Sequence, residues 1–450
     1  MILKNTFLFI IAAATFQISI AQKNKATIVP HATWSKQSNI YEVNLRQFSA
    51  AGTFIAFEKQ LPRLKKMGVE IIWFMPITPI GIKGRKMTES DLGSYYSVRD
   101  YKGINPEFGN INNFKSLVKK AHSMGLKVIV DWVANHSAPD NPWATQHSDF
   151  YVKDSAGNFV SPYDWTDVIK LNYNNRELRD SMIGAMKYWL TAANIDGFRC
   201  DVAEGVAPDF WKECIATLRK TKDVFMLAEG NNALMHEVGF DETYNWDVMS
   251  FMTDLYKGKI NLKEFETSLN NNINNYPKNA YRLYFTSNHD ENSWNGTEFE
   301  KYGDAYKTFA VLTQTMYQSV PLIYNGQESE FKRRLKFFVK DSIDWKNYSL
   351  SGFYTTLLKL RRSNPALAAD ANYKRLQTTN DDAIFCYTRE NNGHKVLVVL
   401  NMSNKKQQFK ISDNTINGNA FNVFLKLNSK LNSNENFTAQ PWGYMVYDYK

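Results

Sequence analysis

The chain has 450 residues, 44% apolar and 14% aromatic, enough to bury a large core, and a charged fraction of only 22% excludes a disordered chain. The net charge of +9 is spread along the chain, and LKK (64–66) and KRR (332–334) are short runs of the kind that form solvated faces. Three cysteines, Cys200, Cys214 and Cys386, exclude a disulfide scaffold, and their spacing does not suit zinc.

The first residues, MILKNTFLFIIAAATFQISIAQ, carry Lys4, an apolar run from Phe7 to Phe16, and Ser19-Ile20-Ala21. They predict an export signal over 1–21 with cleavage after Ala21, and a periplasmic or extracellular protein. No cysteine follows that site to take a lipid. No later segment is long and apolar enough to span a membrane. Export argues against nucleic acid as a partner.

Short apolar runs then alternate with amphipathic stretches. Strands are expected over 40–48, 69–76, 126–133, 195–202, 224–230, 242–248 (weaker), 281–290 and 320–326. Helices are expected over 54–68, 110–125, 176–193, 208–220, 305–317 and 353–363. Eight such units predict a parallel sheet closed into a (β/α)8 TIM barrel over 22–365. Residues 137–174 form a long polar and aromatic insertion after the third strand, an inserted small domain. Loops of that length are usually functional. From Pro365 the pattern changes to short alternating strands, so 366–450 is expected to be a C-terminal antiparallel β domain, a β-sandwich.

Active sites of such barrels lie where strands end at the C-terminal face. Those ends hold Asp131, Asn135 and His136, then Arg199 and Asp201, then Glu229, then Asn288, His289, Asp290 and Glu291. Two acids roughly 5 Å apart cleave a glycosidic bond with retention. Arg199 beside Asp201 is expected to keep Asp201 ionised as the nucleophile. Glu229 follows the apolar run VFMLA, where desolvation should raise its pKa and suit a proton donor. Asp290 is left to grip sugar hydroxyls. For any one acid alone, a structural ion pair is as good a reading.

DWVANH (131–136), GFRCD (197–201), AEG (228–230) and SNHDEN (287–292) resemble, in order, the four short signatures of the α-amylase family, glycoside hydrolase family 13. YEVNLRQF (41–48), SYYSVRDY (94–101), INPEFG (104–109) and LNYNN (171–175) also fit. The resemblance implies Asp201 as nucleophile, Glu229 as acid/base and Asp290 as transition-state stabiliser. It implies that Arg199 orients Asp201, that His136 and His289 bond sugar hydroxyls, and that Tyr96 stacks on the sugar. Trp143, Tyr163, Trp165 and Trp294 are further candidates for stacking on sugar faces or for packing. YNGQE (324–328) resembles a stretch near the site and is assigned no chemistry.

The chain departs from many α-amylases where a Lys-His pair follows the nucleophile: here stand Glu204 and Gly205. That puts the leaving-side contacts and a calcium ligand in doubt. SAAGTF after the first strand lacks carboxylates. No cofactor or catalytic metal is expected, and a structural calcium has only Asn135 as a matching ligand. The expected activity is retaining hydrolysis of α-1,4 links in α-glucans. The alternatives are a transglycosidase, an α-1,6-specific enzyme and, more remotely, a non-catalytic glycan-binding protein. Linkage, chain-length preference and oligomeric state are not encoded in these motifs.

Overall fold

The structure, a computed structural model, describes residues 29–85, 91–345, 347–433 and 435–449. The expected export signal lies outside the described residues. The eight barrel strands are β1 (Ile40–Val43), β2 (Ile71–Phe74), β3 (Lys127–Val133), β6 (Gly197–Asp201), β7 (Phe225–Ala228), β8 (Glu242–Tyr244), β9 (Tyr281–Leu283) and β10 (Leu322–Tyr324). Two short strands of the insertion, β4 (His136–Ser137) and β5 (Ile169–Lys170), come between β3 and β6.

The barrel strands are parallel in the order β10-β1-β2-β3-β6-β7-β8-β9. The ring closes where Val320 N donates to Arg282 O (3.2 Å) and Leu322 N to Tyr284 O (3.0 Å). Alternation along each strand sorts the side chains. Ile40, Ile71, Trp73, Ile129, Leu227, Tyr244 and Leu283 fill the barrel. Tyr41, Ile72, Val128, Phe198, Cys200 and Met226 point outward beneath the helices.

The elements differ from the sequence expectation in instructive places. The first strand stops at Val43, because the Asn44 side chain accepts from Gln47 N and caps a helical turn, Leu45–Phe48. The helix expected over 54–68 is two, Phe54–Glu58 and Leu61–Met67, with Pro62 in the first turn of the second. Proline cannot continue a helix through its own N–H, but it is welcome in a first turn. Two helices that were not expected, Trp246–Tyr256 and Leu262–Asn274, join β8 to β9. Asn245 caps the first, and Asn261 with Glu264 forms a capping box on the second.

In the insertion, β4 pairs antiparallel with β5. The Tyr101 hydroxyl donates to Val133 O and His136 O, both 2.9 Å, and the Tyr173 hydroxyl to Ala134 O, tying the insertion to the end of β3. After the barrel come β11 (Asn372–Leu376), β12 (Ile384–Asn391), β13 (His394–Asn401), β14 (Gln407–Phe409), β15 (Asn417–Asn422), β16 (Leu427–Asn432), β17 (Phe437–Ala439) and β18 (Tyr444–Tyr449). Six of them form an antiparallel sheet, β11-β12-β13-β18-β15-β16, and β14 pairs with β17.

Candidate active site

Gly197 opens β6 with a Cβ position only 2.0 Å from Phe225 O, so only glycine lets β6 and β7 lie this close. Two residues on, Arg199 points into the barrel, fully buried. Its Nη1 contacts Asp131 Oδ1 and Asp201 Oδ1, both at 2.9 Å, and its Nη2 lies 2.9 Å from Glu229 Oε1. Trp73, Tyr96 and Tyr244 ring the guanidinium, with centroids 5.3 to 5.7 Å away. One cation thus serves three carboxylates that end β3, β6 and β7.

The backbone supplies the next contact. Val202, directly after Asp201, has φ +42°, a left-handed conformation that strains a β-branched residue. The turn aims its N–H at Glu229 Oε2, 2.7 Å away. Asp201 and Glu229 share one cavity wall, joined through Arg199. Burial and the Glu229 charge push Asp201 well above the usual carboxylate range, with Arg199 opposing. Burial would raise Glu229 as well, but Arg199 and the Val202 N–H outweigh it and hold Glu229 below its ordinary value. This reverses the electrostatic expectation from the sequence. Arg199 is shared instead of belonging to Asp201, and Glu229 is the better solvated by donors.

Asp290 stands beside His289, with Oδ2 3.3 Å from Nε2. His289 Nδ1 lies 2.5 Å from Glu42 Oε1, and its Nε2 lies 2.7 Å from the Tyr96 hydroxyl. Burial works to lower this imidazole, but the Asp290 and Glu42 carboxylates win and push it up to about 9. His289 is therefore a cation at neutral pH. Burial lifts both Asp290 and Glu42, and His289 works against that in each. His136 behaves oppositely: burial lowers it to about 4. Asn135 Nδ2 donates to His136 Nδ1 (3.2 Å), which leaves the neutral ring's proton on Nε2.

Tyr96, His136, Asp201, Val202, Glu229 and Asp290 line one cavity of about 410 Å³, together with Trp165, Trp294 and Phe337. Asp131, Arg199 and His289 form the buried shell beneath it. Other candidates fall elsewhere. Glu291 pairs with Lys301 (2.9 Å), and Asn288 Oδ1 accepts from Glu291 N, so both serve the turn after β9. Trp143 stacks on Tyr101 and meets Phe150 edge-on, an anchor of the insertion. Exposed Tyr163 packs against Trp165. In YNGQE, Asn325 Oδ1 accepts from Asn44 N, and Glu328 accepts from Tyr41 and Arg63.

Gly205 is packed against Asn135: a Cβ there would meet Asn135 Oδ1 at 2.7 Å. Asn135 brings one amide oxygen, far short of the six to eight oxygens that a calcium ion takes. Glu42, Val202, Tyr244 and the Phe337–Phe338 pair are parts of the site that sequence reasoning did not single out. Glu42 had a signal, since it sits in YEVNLRQF with its side chain one strand step from Ile40. Val202 had none, because its contribution is a backbone N–H.

A parallel barrel with three carboxylates and a shared arginine at its C-terminal face defines a glycosidase-type site. The chain belongs to the α-amylase family: the family model "Alpha amylase, catalytic domain" matches residues 35–168 and 152–383. It is a glycoside hydrolase. It is 26% identical over 442 residues to "Alpha-amylase 2" of Dictyoglomus thermophilum, covering 88% of this chain and 75% of that protein. It is 26% identical over 374 residues to a cyclomaltodextrinase of a Bacillus species, covering 76% and 64%. Among solved structures, a noncanonic maltogenic alpha-amylase, AmyB, of Thermotoga neapolitana superposes with a TM-score of 0.84 at 28% identity, covering 92% of this chain and 99% of that one.

Proposed function

We propose that the protein is a retaining hydrolase of α-1,4-glucosidic bonds in starch-derived α-glucans, with Asp201 as nucleophile, Glu229 as acid/base and Asp290 as stabiliser. The observation that carries this reading is Asp201 and Glu229 lining one cavity, bridged by Arg199. Attack requires Asp201 as the carboxylate and Glu229 as the acid. Arg199 touches both carboxylates and offsets their charge.

Asp201 then bonds to the anomeric carbon while Glu229 passes its proton to the departing glycosidic oxygen. The Val202 N–H and Arg199 stabilise the Glu229 carboxylate as it forms, which makes Glu229 a stronger acid at the moment of transfer. Water next attacks the anomeric carbon, Glu229 takes its proton, and the bond to Asp201 breaks. Asp290 bonds the ring hydroxyls with cationic His289 supporting it from below, and neutral His136 offers an Nε2–H donor to another. Tyr96 supplies the apolar face beneath the sugar.

A relative 26% identical, "Alpha-1,4-glucan:maltose-1-phosphate maltosyltransferase" of Corynebacterium glutamicum, supports transfer to a second sugar as the other reading. Only the acceptor differs between the two. Asp201→Asn and Glu229→Gln should each lower sugar release from maltooligosaccharides by roughly 10²–10⁴-fold. Full activity in both would sink the assignment. Early products longer than the substrate, on chromatography, would favour transfer over hydrolysis. The opening residues support export to the periplasm or beyond, and the mass of the mature N-terminus tests it.

A further inference from the structure

Basic residues are spread along the sequence, but the fold gathers many of them at one end. In a parallel barrel each helix returns the chain to the strand starts, so residues in last turns and just before strands share that end, the floor. Lys65 and Lys66 lie in the last turn of Leu61–Met67, Lys120 in that of Ile111–Ser123, and Arg362 in that of Ser351–Ser363. Arg219 and Lys220 close Pro208–Arg219. Lys127 opens β3, and Lys222 comes just before β7.

Contacts join these residues into one arc. Asp196, at the foot of β6, holds His122 (2.7 Å), Lys127 (3.2 Å) and Lys222 (3.0 Å) at once. Lys65 Nζ donates to Gly125 O (3.2 Å), which carries the arc on to Leu61–Met67. The helix Ser351–Ser363 packs against Leu61–Met67. There burial raises the Glu70 carboxyl against the pull of Arg361, Arg362 and Lys65. Lys65 is itself held below its ordinary value, by partial burial first and by the Arg362 charge second. Other carboxylates of this end are engaged, Asp241 with Arg219 (3.1 Å) and Asp223 with Thr33. Lys66, Lys120, Lys220 and Arg362 stay exposed. Helix dipoles account for part of the set, since a cation in a last turn answers about half a negative charge. They do not ask for Lys127, which opens a strand, or for Lys65 and Lys66 together in one last turn.

The opposite end is charged the other way. Asp164, Asp167, Asp201, Glu229 and Asp290 line the cavity, with no lysine or arginine among its described lining residues. Glu204 and Asp247 stand on the same side. A molecule polarised in this way orients itself before a negatively charged surface. The chain also enters the fold at the basic end, where Val29 and His31 are bonded to Asn279, just ahead of β9. The residues before Val29 include Lys23, Lys25 and the apolar run Phe7–Phe16, which is expected to engage a membrane during export. We propose that the barrel floor, from Arg362 through Lys66 and Lys120 to Lys220, is a docking surface for an anionic phospholipid bilayer, which the protein meets with its cleft turned away.

Each basic residue close to an anionic bilayer adds about fivefold to binding. The mature chain from Gln22, which holds every described residue, is floated with vesicles of phosphatidylcholine alone or mixed in equal parts with phosphatidylglycerol. It should bind the mixed vesicles only, and about 1 M salt, which screens charges beyond roughly 3 Å, should release it. Lys66→Gln/Lys120→Gln/Lys220→Gln should weaken binding on the order of 100-fold. Lys405→Gln/Lys406→Gln/Lys410→Gln takes the same charge from exposed positions of the C-terminal domain and should change binding by less than about fivefold. Both variants should melt with the wild type, because exposed substitutions cost little stability. Equal losses in the two variants would reduce the effect to net charge and overturn the docking surface. Binding to pure phosphatidylcholine, or retention on heparin with no binding to either vesicle, would overturn it as well.

Discussion

Arg199 and His289 are two buried cations set among five carboxylates, and most of the site's charge logic follows from them. Arg199 is shared by Asp131, Asp201 and Glu229, so no one of them owns it. His289 is a cation only because Glu42 and Asp290 overcome its burial. An imidazole whose folded pKa lies above its unfolded value near 6.5 contributes stability that is full below that value and is lost as pH rises through about 9. The same window bounds the charged form that supports Asp290. Glu42→Gln removes one of the two supporting carboxylates, so the His289 pKa should fall. The alkaline limb of kcat/KM should then move to lower pH, which a pH–rate profile on maltotriose would show; an unmoved limb would remove His289 from the charge logic.

At the scale of elements, the turn Leu45–Phe48 does more than connect β1 to the next helix. Arg46 lies over the Tyr95 ring (4.2 Å), pairs with Glu107 and donates to Gly93 O, while Gln47 clamps the segment after β10. One helical turn therefore positions both flanks of the cleft. Gln47→Leu keeps the volume and removes three hydrogen bonds. Its expected effect is a raised KM for long maltooligosaccharides, with kcat on 4-nitrophenyl α-glucoside within about twofold of wild type; a uniform fall in kcat would mean that Gln47 supports the catalytic floor instead. The strand ends were legible in the sequence because each acid follows its own apolar strand. The aromatic side of the cavity was not, because Phe337 depends on Gln47, 290 positions earlier. The helices Trp246–Tyr256 and Leu262–Asn274 escaped notice for a local reason. The apolar WDVMSFM runs straight on from the short β8, and LNNNINN has the composition of a loop. The charge reversal at Asp201 and Glu229 was hidden for a third reason, since a backbone N–H leaves no mark on the residue code.

Across the whole molecule, one apolar cluster ignores the boundary between barrel and β domain. Val248, Phe265, Phe309 and Leu357 from barrel helices pack with Phe385, Tyr387, Val398 and Leu400 from the C-terminal sheet. Arg389, fully buried on β12, donates to the carbonyls of Thr315, Met316, Ala368, Ala371 and Asn372, and so ties the sheet to the barrel with no carboxylate involved. Arg389→Met would leave those buried carbonyls without donors and should cost on the order of 3 kcal/mol. Calorimetry should show a single unfolding transition for the wild type, moved to lower temperature in the variant. Two well-separated wild-type transitions would contradict a common core. At the opposite pole from the cleft, the N-terminal segment seals the barrel floor: His31 stacks on Tyr281, Ala32 N donates to Asp241, and Thr33 bonds Asp223, all just ahead of the strands or at their starts. The described chain thus begins beneath the molecule and does its chemistry on top. Held by that end, on a bead or a sensor surface, every copy would present its mouth outward to polymer too large to diffuse around it.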